Sequence, residues 1–239
     1  MPYHPRYKNS QSGAALLMLI ALAGMGAAVL LMQISPSANE IQREERTQRV
    51  LGEAREAVLG YAAQHGRLPR PATSALNGIE REQPCDTAQS CNGFIPWVTL
   101  GISGGDSWGK LLRYSVTPAF TEAPIRLLTP GDRTVMGRKK NGGLFYVVGQ
   151  QPCELYARCA AAVIYSSGKN NLGTSTLGVH QANTVRTNLD ERHNDEAAND
   201  FIQRRQSSAT DVTGGEFDDL VTWVSQQHVD GLLRATQKR

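Results

Sequence analysis

The chain has 239 residues, of which 40% are hydrophobic and 20% charged, enough for one folded domain of ordinary size beside a long helix and unlike a disordered tail. A net charge of +3 is too small to argue for nucleic acid as a partner. No internal repeat recurs along the sequence.

Residues 1–13 carry Arg6 and Lys8 and no acid. From Ala14 to Met32 nineteen consecutive positions are apolar or Gly, and no polar residue appears before Gln33. At helical rise such a stretch spans about 29 Å, close to the hydrocarbon thickness of a bilayer. The basic flank of a membrane helix stays in the cytoplasm, so the N-terminus is expected inside and the remainder outside. Beyond the apolar stretch, Ile41, Val50, Leu51, Ala54, Ala57, Val58, Tyr61 and Ala62 recur at helical spacings. Pro36 is expected to kink the helix, and Gly66 with Pro69 to end it. The predicted element is one helix over 14–65, about 78 Å long. Residues 14–32 are its transmembrane or assembly core and 33–65 its amphipathic part. A cleaved secretory signal fits poorly, because the apolar core is too long and Pro36-Ser37-Ala38 is a poor cleavage site. An uncut signal anchor is the standing alternative.

Residues 66–239 read as a separate globular domain. Gly66 to Pro71 opens a loop, and residues 72–93 are an irregular polar connection. Gly93 to Gly101 is an apolar island in which Pro96 forbids a central strand. Gly104 to Gly109 is a turn. Three strands are predicted, Lys110–Val116, Gly143–Gly149 and Ala160–Ser167, the last closed by a turn at Gly168-Lys-Asn-Asn171. Hairpin-length connections pair them antiparallel, and the second half of the helix covers one face. The fold class is therefore α+β, a long N-terminal helix on a small antiparallel sheet. Residues 172–215 are polar, with an acidic run from Asp190 to Asp200. Gly214–Ser225 suits a short strand or an amphipathic helix, and Val229–Lys238 a basic terminal helix.

Cys85/Cys91 and Cys153/Cys159 are each spaced C-x5-C, wider than zinc sites favour and without His nearby. Outside the cytoplasm they are expected as disulfides. Local pairing is favoured because each pair is close in sequence and flanked by turn formers, cross-pairing being the alternative. The five histidines form no motif, and Ser166, Ser167 and Ser225 lack a nucleophile elbow. Gly101-Ile-Ser-Gly-Gly-Asp106 lacks the Lys-Ser/Thr of a phosphate loop. No enzyme activity is expected. The acidic run lacks the spacing and the Gly of an EF-hand, so it reads as a solvated loop or a helix N-terminus. No metal is expected, and the carboxylates closest to a ligand set are Asp190, Asp195, Glu196 and Asp200.

A short basic leader ending in Gly, an apolar half-helix and an amphipathic half-helix resemble type IV pilin-like proteins. The boundary is Ser12-Gly13-Ala14-Ala15-Leu16-Leu17. The resemblance implies that a prepilin peptidase cuts after Gly13 and that Ala14 becomes N-methylated, with 1–13 as leader peptide. The family has Phe or Met where Ala14 stands and a Glu where Met18 stands. That Glu pairs with a neighbouring subunit's terminal amine, so Met18 implies a minor rather than a major subunit. Asp106-Ser-Trp-Gly-Lys-Leu-Leu-Arg-Tyr114 is similar to the Asp-Pro-Trp-Gly-Asn-x-Tyr-x-Tyr stretch of type II secretion pseudopilins. Ser166-Ser-Gly-Lys-Asn-Asn171 is similar to their Ser-x-Gly-x-Asp/Asn-Gly turn. Trp108 is then expected to pack under the first strand, and Gly109 to supply a positive φ. Some pseudopilins bind Ca²⁺ in a loop after the sheet, the one cofactor the resemblance allows. The implied function is a minor pilin or pseudopilin subunit of a type IV pilus or type II secretion filament. Its partners are the peptidase, other subunits and the inner membrane. It would cross that membrane once, with the globular domain in the periplasm. The alternative is an uncut, signal-anchored envelope domain with a binding or adhesive role.

Overall fold

A computed structural model describes residues 12–236, so most of the expected leader lies outside the described residues. The chain divides into two compact units, one up to Glu44 and one from Glu45 onward. Helix α1 (Ser12–His65) runs through Pro36 without ending. In the first unit Leu17, Met18 and Ile20 are exposed. Among the described residues no helix is long and apolar enough to cross a membrane. Of the predicted span 14–32, only the side chains of Leu17, Met18 and Ile20 are among those described.

In the second unit the predicted spacing acts as expected. Leu51, Ala54, Val58, Leu59 and Ala62 are buried on one face of α1 and fill the main core. The helix stops where Gly66 takes a φ of +67° and returns its N–H to the carbonyl of Ala62 at 2.9 Å. The following loop folds back on the helix through Glu80. That carboxylate accepts bonds from both Arg67 terminal nitrogens at 2.9 Å, the Tyr61 hydroxyl at 2.6 Å and the Arg70 N–H at 3.0 Å. Burial alone would raise the Glu80 carboxyl, but these bonds outweigh it and hold it down at about 2. Burial and the bond to Glu80 push the Tyr61 hydroxyl up to about 12.

After α1 come β1 (Asn92–Phe94), α2 (Trp97–Leu100), β2 (Arg113–Val116), β3 (Thr134–Arg138), β4 (Leu144–Val148) and β5 (Ala160–Ser166). Then follow α3 (Leu189–Glu196), β6 (Asp200–Ile202), β7 (Leu220–Ser225) and α4 (Gln226–Thr236). The main sheet has order β1-β2-β5-β7 and is antiparallel throughout, with Tyr114 opposite Ile164 and Ile164 opposite Thr222. The mixed α+β class read from the sequence is the class observed.

A single antiparallel sheet is not what forms. The predicted second strand, β4, lies in a separate sheet of order β4-β3-β6, where β3 is antiparallel to β4 and parallel to β6. The reason lies in β5, all seven of whose residues are buried. Ala162 and Ile164 face the core shared with α1, whereas Val163 and Tyr165 join Val135, Ala197, Phe201 and Val221 on the opposite side. A strand covered on both faces reads as a continuous apolar run, and its second cover requires a second layer. Of the two readings of the acidic run, the helix is the one observed: Leu189–Glu196 form α3, with Asp190, Glu191 and Asn194 buried, while Asp200 opens β6. Residues 220–225 choose the strand, and α4 begins three residues before the expected Val229, which is fully buried in the main core. Trp108 is half-buried outside the apolar clusters, and it is Trp97 that packs against the main core. Gly109 does take a positive φ, +79°.

Both cysteine pairs are local. Cys85–Cys91 and Cys153–Cys159 have sulfurs 1.94 and 2.00 Å apart. Each closes a short loop, which stabilises by about 2 kcal/mol in the loop-entropy picture.

Candidate functional site

The Asp106 and Ser166 stretches, sixty residues apart, interlock. Asp106 Oδ1 accepts the N–H groups of Trp108 at 2.9 Å and Lys110 at 2.8 Å, an Asx turn that tightens Asp106–Gly109. Its Oδ2 accepts the Ser166 hydroxyl at 2.6 Å. Lys110 is 4% exposed, and its ammonium donates to the carbonyls of Ser167 at 3.2 Å, Asn171 at 3.0 Å and Asn170. Those carbonyls belong to the turn after β5, so the lysine of one stretch staples the turn of the other. Burial pushes the Lys110 ammonium down, while Asp218 and Asp106 oppose that shift.

Acids gather on the far side of the same turn. The Asn170 N–H donates to Asp218 Oδ2 at 2.8 Å. Gly168 has a φ of +58°, and a Cβ there would come within 2.0 Å of Asp218 Oδ1. Only glycine allows the turn to approach so closely. Glu191, from α3, accepts the Asp218 N–H and the Asn188 amide, both at 2.8 Å. Asp219 is 3% exposed and accepts the Asn194 amide at 2.8 Å. Oxygens of Glu191, Asp218 and Asp219 all lie within 4.8 Å of one another. Burial pushes all three carboxyls up, Glu191 to about 7 and Asp219 well above the usual carboxylate range. Three such carboxyls close together can share protons, and their oxygens are the donor type that a hard divalent cation takes.

The carboxylates singled out in the sequence do not converge. Asp190 sits between the Arg138 and Arg204 Nε atoms at 2.9 and 2.7 Å. Asp200 pairs with His193 at 3.1 Å, and Glu196 faces Arg192 at 3.9 Å. Asp195 is half-buried and outside the triad. Sequence reasoning missed Glu191, Asp218 and Asp219 as a group. The available signal was an Asp-Asp pair set between the apolar Phe217 and Leu220. Gly13, Ala14 and Met18 lie in the helical first unit, where Met18 is exposed. In a comparison with known proteins, no protein-family model, no curated protein and no solved structure matched this chain.

Proposed function

We propose that the chain is a minor, pilin-like structural subunit, cut after Gly13 and assembled through its apolar N-terminal helix into a pilus or secretion filament. The observation that supports this most is the interlocking of Asp106–Tyr114 with Ser166–Asn171. These are the two stretches outside the N-terminus that resemble pseudopilins, and they serve one another in one buried network. The amphipathic half of α1 filling the main core is a second support. In this reading the nineteen apolar positions from Ala14 to Met32 hold the subunit in the inner membrane before assembly. The globular domain then lies in the periplasm, where both disulfides persist. The protein performs no chemistry of its own; cleavage and methylation are done to it.

N-terminal sequencing of the protein from its native membranes tests this. The expected first residue is a methylated Ala14, with Gly13→Ala leaving the full chain uncut. Met1 as the first residue of the wild-type protein assigns instead the anchored envelope domain.

A further inference from the structure

Strand β4 is an edge strand: one side carries the ladder to β3, and no strand among the described residues pairs with the other. It is also apolar on both faces. Leu144, Phe145, Tyr146 and Val147 are 46%, 43%, 42% and 45% exposed. Free edges of this kind are normally shortened, charged or covered, because they recruit other strands. Four consecutive half-exposed large apolar side chains mark an interaction surface rather than scattered exposure. The ring of Phe145 is held in place, since it lies over Gly137, where a Cβ would come within 2.5 Å of it.

The β3–β4 turn that leads into Leu144 lines a cationic cavity through Lys139, Lys140 and Gly142. The cavity, about 380 Å³, lies between the β3–β4 turn and the segment after β6. Arg138, Lys139, Lys140, Arg204 and Arg205 line it, and no acid does. Asp190 anchors Arg138 and Arg204 from behind, with its own side chain 1% exposed. No ion pair joins Lys139, Lys140 or Arg205 to a carboxylate among the described residues. Two guanidiniums are thus fixed in the wall and three further cations stand at the rim.

We propose that β4 and this cavity form one docking site for an extended, apolar segment of another protein that ends in carboxylates. The polarity follows from the geometry. An incoming strand antiparallel to β4 brings its C-terminal end to Leu144, beside Lys139 and Lys140. Main-chain bonds to the free edge supply affinity, alternate side chains pack on Leu144 with Tyr146 and on Phe145 with Val147, and the terminal carboxylates meet the cations. A basic segment is repelled, so charge at that end selects the partner. The inference does not depend on whether the chain assembles into a filament.

The test uses the full chain in detergent and three fluorescent peptides of alternating Val and Thr, closing on Asp-Asp, Asn-Asn or Lys-Lys. Anisotropy is expected to show the Asp-closing peptide binding roughly tenfold tighter than the Asn-closing one, and the Lys-closing one not at all. Lys139→Glu with Lys140→Glu reverses that order. Val147→Lys abolishes binding while the melting temperature stays unchanged. Hydrogen exchange of residues 144–148 slows when the Asp-closing peptide binds. Equal binding of the three peptides, no binding of any, or binding without slower exchange in β4 overturns the proposal. Self-association of the protein that Val147→Lys abolishes also overturns it, because β4 then belongs to a second copy.

Discussion

The Ser166 hydroxyl donates to Asp106 across 2.6 Å, joining the end of β5 to the turn before β2. Asp106 also takes two backbone N–H groups, so its carboxylate satisfies three donors in a half-buried turn. Removing it strands two main-chain donors, which costs more than the loss of one neutral bond.

Asp106→Ala is therefore expected to destabilise the domain by about 2–4 kcal/mol and Ser166→Ala by only about 1 kcal/mol. Urea unfolding of the two variants checks the order. Equal losses would show that the Asx turn contributes nothing beyond the hydroxyl bond.

Glu80 sets a low-pH limit on stability. Its folded value, about 2, lies below the ~4.3 of an unfolded Glu. The contribution is complete above about pH 5 and disappears as the pH falls toward 2. Allowing for solvent screening, it amounts to about 1–2 kcal/mol. Glu80→Gln is expected to lower stability at pH 7 by that amount and to flatten the decline between pH 4 and 2. A variant that still follows the wild-type acid profile would assign the decline to other carboxylates.

The Glu191, Asp218 and Asp219 group has the opposite sign. All three folded values are raised, so the group's contribution is complete below about pH 4 and is lost as the pH rises, the Glu191 part through about 7 and the Asp218 and Asp219 parts in the same direction. The nearby Lys110 ammonium only partly offsets the charge. Asp219→Asn keeps an acceptor for Asn194 and removes one titrating group. Its melting temperature is expected to exceed that of the wild type by about 2–4 °C at pH 8, and by less at pH 5. A variant less stable than the wild type at pH 8 would mean that the ionised carboxylate is needed there.

Under the proposed function, Met18 lies in the membrane and assembly segment. In that reading a carboxylate at position 18 would cost a few kcal/mol in the bilayer unless it is paired. Under the proposed function, Met18→Glu is expected to leave cleavage at Gly13 unchanged and to raise the number of copies per filament. Quantitative blotting of sheared filaments measures this. Wild-type abundance equal to that of the major subunit would remove the case for a minor role.

Long periodic or continuous apolar segments were legible from the chain alone. Residues 160–166 and the face formed by Leu51, Ala54 and Val58 announce themselves, because one physical driver, burial, acts on consecutive or regularly spaced positions. The local disulfides were legible for a similar reason, proximity along the chain. The layer built from β3 and β6 was not. Thr134-Val-Met-Gly-Arg138 and Asp200-Phe-Ile202 are short and mixed in polarity, and a parallel pair has no hairpin to announce it. The acidic triad escaped because Glu191 and Asp218 are 27 residues apart and meet only when α3 bonds to the segment that leads into β7.

The main core draws on both ends of the second unit. Leu51, Ala54 and Val58 come from the helix that opens it, and Val224 and Val229 from the strand and helix that close it. Within this unit the part made first therefore waits for the part made last. A chain that stops before Leu220 lacks the strand beside β5 and presents an unpaired edge and an open apolar face. Copies cut short before Leu220 are therefore expected to present the kind of surface that chaperones and proteases act on, and residues 220–236 close it.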